Sequence, residues 1–116
     1  MMILLIMSRN LIMILKKEPF QVMSTGEKKF EYRNNTQYWR NRLYKKDGSV
    51  KPFKYVEFSN GYQKNRPQFL VEFLGVEIID EVHEKYSSGF EVDYPFQKEG
   101  YLKIILGKVI REEDDK

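Results

Sequence analysis

Apolar residues in this chain fall in short runs broken by glycine and charged turns, not in long helical stripes. Residues 11–16 form one such run, of strand length, and predict a buried first strand. Glu18-Pro19 then opens a helix, because proline suits the first turn, where its missing N–H leaves no bond unmade. Phe20 and Met23, three apart, share the core-facing side of that helix. Gly26 ends it, since glycine accepts the positive φ that follows a helix C-terminus. Residues 27–33 read as a strand whose alternation puts Lys28, Phe30 and Tyr32 on one face and Lys29, Glu31 and Arg33 on the other. For Lys28 and Glu31 to meet, either Lys28 sits on the turn before the strand or a bulge re-aims it, and the turn is the expectation here.

Residues 34–43 predict a second short helix, with Thr36 as N-cap. Trp39 and Leu43 lie four apart on one face, the tryptophan read as a core anchor, with Arg42 nearer to it than Arg40. Residues 45–49 hold Asp47-Gly48, a strong turn signal. A central strand is expected over 53–59, ended by Asn60-Gly61, and the loop after it carries Tyr62, Lys64 and Arg66. Residues 68–79 form the longest strand pattern, with Gly75 predicting a bulge or barrel bend. Residues 80–100 are acidic and read as irregular, with His83 exposed, and 101–110 supply the closing strand. Glycine bends, two short helices and about 5–6 short strands predict an α+β fold, a small mixed β-barrel with helices at its ends.

Composition narrows the chemistry. With 116 residues the chain is of single-domain size, and 41% hydrophobic with 32% charged residues describes a globular protein. It divides into an apolar extension over 1–10, a domain over 11–110 and a charged tail over 111–116. Cysteine is absent, which removes disulfides and thiolate chemistry, and His83 is the single histidine, so no metal site and no cofactor are expected. The apolar start, MMILLIM, lacks a basic flank and a cleavage site and is too short to span a bilayer, so a cytoplasmic protein without a membrane partner is expected. Charge is unevenly spread. Residues 26–66 hold eleven Lys/Arg against four Asp/Glu, a balance of +7, with nine aromatic residues interleaved. Residues 67–110 hold four Lys/Arg against eight Asp/Glu, a balance of −4. A basic segment interleaved with rings suits single-stranded nucleic acid, cations meeting phosphate and rings stacking on bases.

The chemistry concentrates at Gly26, Lys28, Glu31 and Arg33, two cations and a carboxylate beside a glycine turn. Their spacing, G-x-K-x-x-E-x-R, resembles the signature of the ASCH family, small β-barrel domains related to the PUA group of RNA-binding domains. The order of elements around it is similar over roughly residues 11–110, so the resemblance implies a PUA-like barrel. It also implies a ligand-binding cleft at the motif, for single-stranded RNA or a nucleoside or nucleotide. Lys28 and Arg33 would hold phosphate or a base carbonyl, and Glu31 would accept from an exocyclic amine. Tyr32 or Tyr62 would stack, with Gly26 allowing close approach and Lys64 and Arg66 adding cations. Some family members are similar to amidohydrolases acting on a modified cytidine, and others resemble small ribonucleases. In the amidohydrolase type the motif lysine is the base and a threonine three residues later the nucleophile; in this chain that later position is Glu31. A Lys28–Glu31 couple acting on a bound water is the catalytic alternative, provided burial brings their pKa values toward neutrality. A third reading is an interaction module that dimerises through the apolar N-terminus.

Overall fold

The computed structural model describes residues 10–61 and 68–110. The apolar extension up to residue 9, the Tyr62–Lys64–Arg66 loop and the charged tail lie outside the described residues. Among the described residues seven strands and two helices follow in the order β1 (Leu11–Leu15), α1 (Lys17–Ser24), β2 (Phe30–Asn34), α2 (Gln37–Leu43), β3 (Tyr55–Asn60), β4 (Gln68–Ile79), β5 (Val82–Lys85), β6 (Glu91–Tyr94) and β7 (Tyr101–Ile110). Five strands make one sheet, ordered β1-β3-β4-β7-β2, and β5 and β6 pair separately as a hairpin. The larger sheet curls into a half-barrel, so the fold is the expected α+β mixed barrel. Among these strands β1 and β3 run parallel, and the other pairs are antiparallel. Among the described residues no helix is long and apolar enough to cross a membrane.

Alternation builds the core as the sequence requires. Leu11, Met13 and Leu15 of β1 are buried, while Ile12 faces outward. They meet Val56 and Phe58 of β3, Val71 of β4 and Leu102, Ile104 and Leu106 of β7 inside the curl. Leu43 of α2 closes one side, and Trp39 packs partly buried against the same core. Met23 of α1 enters this core, and its neighbour Val22 enters a second, smaller cluster with Tyr32, Val82, Val92 and Tyr101. That second cluster seats the hairpin on the barrel, and α1 stands between the two.

The bend expected at Gly75 is present. The β4–β7 register shifts between Val71 and Phe73 and again between Phe73 and Gly75, whose φ is 138°. The Glu72 carboxylate accepts from the Lys108 N–H at 2.8 Å within the shifted stretch. Two sequence readings are corrected. β2 begins at Phe30, not at residue 27, which leaves Lys28 on the turn. The acidic stretch over 80–100 is not irregular throughout, because β5 and β6 form a hairpin within it, with Gly89 at φ 93° in its turn.

Candidate functional site

β1 and β2 are the two outer strands of the curled sheet. A cleft of about 670 Å³ lies between them, bounded by Ile14 and Leu15 of β1, the first turn of α1, the Lys28 turn and β2, and the β6 side of the hairpin. Its floor is ionic. Glu31 and Arg33, two apart on β2, share a face, and Lys28 reaches them from the turn. The Lys28 Nζ donates to Glu31 Oε1 at 3.0 Å and to the Phe30 carbonyl. The Arg33 Nη1 lies 3.1 Å from Glu31 Oε2 and donates to the Tyr32 carbonyl at 2.7 Å. A further bond, from the Tyr32 N–H to Glu31 Oε1 at 3.1 Å, completes the shell. Side-chain exposures of 1% for Lys28, 7% for Glu31 and 22% for Arg33 make Arg33 the most open of the three.

The electrostatics follow from this packing. Burial pushes the Glu31 carboxyl up, but the charges of Lys28 and Arg33 and the bonds from Lys28 and the Tyr32 N–H outweigh it. The carboxyl is therefore held below its usual range and stays ionised at neutral pH. The pKa needed for acid–base work near neutrality is not what these surroundings produce for Glu31. Two cations around one carboxylate leave the floor with one positive charge in excess.

The walls bring in residues that sequence reasoning did not connect with the site. Lys16 precedes α1 in extended conformation, with no side chain capping the helix. Because Pro19 has no N–H and the Phe20 N–H already bonds the Lys16 carbonyl, the uncapped start of the helix is at Lys17 and Glu18, both in the cleft wall. From the hairpin come Phe90, Val92 and the half-exposed ring of Tyr94, which stacks on Tyr101 at 5.3 Å between centroids. Glu18 and Glu91 are the carboxylates of the walls.

Tyr32 does not stack on a ligand as expected. It is buried in the second cluster, 3% exposed, and its hydroxyl donates to Glu84 at 2.7 Å. Tyr86 donates to the other oxygen of Glu84, and burial together with that carboxylate pushes both phenols above their ordinary value. Glu27 likewise ties the hairpin turn down, accepting from the Ser87 N–H and hydroxyl at 2.8 and 2.9 Å. Gly26, expected against the ligand, is instead the helix cap at φ 86° and is not part of the cleft wall. His83 is exposed, as expected, beside Asp93 and Glu81. Among the described residues no group of His, Asp and Glu could hold a metal ion.

Compared with protein-family models, curated proteins and solved structures, the chain finds no match.

Proposed function

We propose that this chain binds a nucleotide, free or as part of single-stranded RNA, in the cleft between β1 and β2. The observation that carries this reading is the buried ionic floor, where Lys28 and Arg33 surround Glu31 and leave a positive charge in excess. Buried charge is costly unless an anion compensates it. The uncapped first turn of α1 borders the same space and favours a phosphate there through its N–H groups and dipole. Phe90 and Tyr94 offer rings to a base, in the place first expected of Tyr32. A volume of about 670 Å³ falls in the usual range for small-ligand sites. The ASCH-like spacing of Gly26, Lys28, Glu31 and Arg33 supports the same ligand class. Glu31, held as a carboxylate, acts here as a fixed acceptor and counter-charge rather than as a proton donor.

Calorimetry of the purified protein with nucleosides, nucleoside monophosphates and short single-stranded RNA tests the proposal, with product formation followed by mass. Monophosphates should bind more tightly than the matching nucleosides. Arg33→Gln should weaken them by about tenfold, the worth of one charge-assisted contact. Absence of monophosphate binding at millimolar concentration would overturn it. A new product that disappears in Lys28→Ala would replace the binding role with a hydrolytic one.

A further inference from the structure

Arg33 closes the cleft on one side and also lies over a ring on α2, its guanidinium carbon 5.1 Å from the centre of the Trp39 ring. The Arg42 guanidinium lies 4.7 Å from the same indole and 5.7 Å from the Tyr38 ring, and the two rings meet edge-on at 5.5 Å. Arg33 and Arg42 thus share the Trp39 ring, and Arg42 reaches on to Tyr38. Tyr38, at the outer end, is 63% exposed. We infer that a single-stranded nucleic acid whose terminal or internal nucleotide occupies the cleft continues across α2 along this ladder. The inference rests on the nucleotide reading of the cleft and names the polymer as its ligand.

Beyond Arg33, which pairs with Glu31, the cations of this surface have no carboxylate partner among the described residues. Between Arg33 and Lys46 the chain carries Arg33, Arg40, Arg42, Lys45 and Lys46 and no carboxylate. Among the described residues neither Arg40 nor Arg42 forms an ion pair. Neutral oxygens hold them: the Ile12 carbonyl accepts from Arg42 Nη2 at 2.8 Å, and the Asn35 side chain accepts from Arg40 Nη1 at 2.7 Å. Both guanidiniums are therefore positioned without being neutralised, which is what phosphate contact requires. Cations at the C-terminal end of α2 also suit the helix dipole. The dipole does not account for an exposed tyrosine held in the same stack, nor for two guanidiniums gathered on one indole. The exposed Tyr38 ring can take a base, and Arg42 beside it a phosphate, of a single strand, whose bases, unlike those of a duplex, are free to stack.

A length series of single-stranded oligoribonucleotides, from a mononucleotide to about eight nucleotides, tests this by fluorescence anisotropy at several salt concentrations. Affinity should rise with length beyond the mononucleotide. Tyr38→Ala should remove about tenfold of that gain and Tyr38→Phe none, a ring being all that stacking needs. Arg42→Gln should reduce the gain and flatten the log–log salt slope by roughly 0.7, as expected for one lost phosphate contact. Tyr38→Ala should leave mononucleotide affinity unchanged, and thermal melts of the variants confirm that they fold. If mononucleotides bind but length brings no gain, or the gain survives both substitutions, the track is overturned and the cleft reading stands. If nothing binds, both fall together. Equal affinity for duplex RNA or polyglutamate would overturn the track in favour of a general anion surface.

Discussion

At Glu31, burial alone would favour the neutral carboxyl, yet Lys28 and Arg33 keep it ionised. A carboxyl whose folded pKa is depressed contributes stability that is fully present above its unfolded value, near 4.5, and is lost as pH falls through the lower folded value. Urea unfolding at a series of pH values should show this loss below about pH 5. Glu31→Gln should flatten that part of the profile. It should also destabilise at neutral pH, by about 3–5 kcal/mol, because the Lys28 ammonium stays buried without its counter-charge. A loss under about 1 kcal/mol would mean that the triad behaves as an exposed pair and that the cleft floor is wet. This constellation was legible in the sequence to an unusual degree. Strict alternation would have sent Lys28 and Glu31 to opposite faces, so their meeting required a bulge or Lys28 on the turn, and the turn is where it lies. The fate of Tyr32 was not legible, because its partners, Glu84 and Tyr94, lie far along the chain and leave no local signal.

Elements were readable where a backbone rule marked their ends. Thr36 accepts from the Trp39 N–H as an N-cap should, and Gly26 takes φ 86° after α1. The β5–β6 hairpin was missed because its apolar positions are sparse: Val82 and Val92 are its buried valines among exposed charges. Its docking depends on distant contacts such as Glu27 with Ser87. Two glycines with nearly the same φ separate conformational from steric cost. A Cβ on Gly26 would meet only Val109 Cγ2, at an ordinary 3.9 Å, so Gly26→Ala pays for the left-handed backbone alone, about 1–2 kcal/mol. On Gly100, at φ 83°, the Cβ would lie 2.7 Å from the Ile79 carbonyl oxygen, a backbone atom held in β4. Gly100→Ala adds that clash to the same conformational cost and should exceed the Gly26 variant by at least about 1 kcal/mol in chemical denaturation. Equal costs in the two variants would show that the β4–β7 connection shifts freely to make room.

The whole molecule places its cleft where the curled sheet ends, between the strands that pair on one side only. Spacing suggested the cations, but no pattern in the sequence announced that the start of α1 and the rings of the hairpin would enclose them. Topology brings those together, and with them a conflict between stability and binding. Lys16 occupies the N-cap position of α1 without capping it, and aspartate is among the residues that cap best. Lys16→Asp should therefore stabilise the fold by about 1 kcal/mol, through a bond to the Glu18 N–H, the capping donor that Pro19 leaves, and a favourable charge at the positive end of the helix dipole. In a domain of this size that is a rise in melting temperature of about 4 °C or more. The same carboxylate would occupy the Glu18 N–H and repel a phosphate, so monophosphate affinity should fall by about tenfold or more while nucleoside affinity changes less. Melting curves and calorimetry on one preparation read both effects. Stabilisation with undiminished monophosphate affinity would place the phosphate away from α1, on Lys28 and Arg33 alone. A fall in both would mean that Lys16 itself is a binding cation rather than a missing cap.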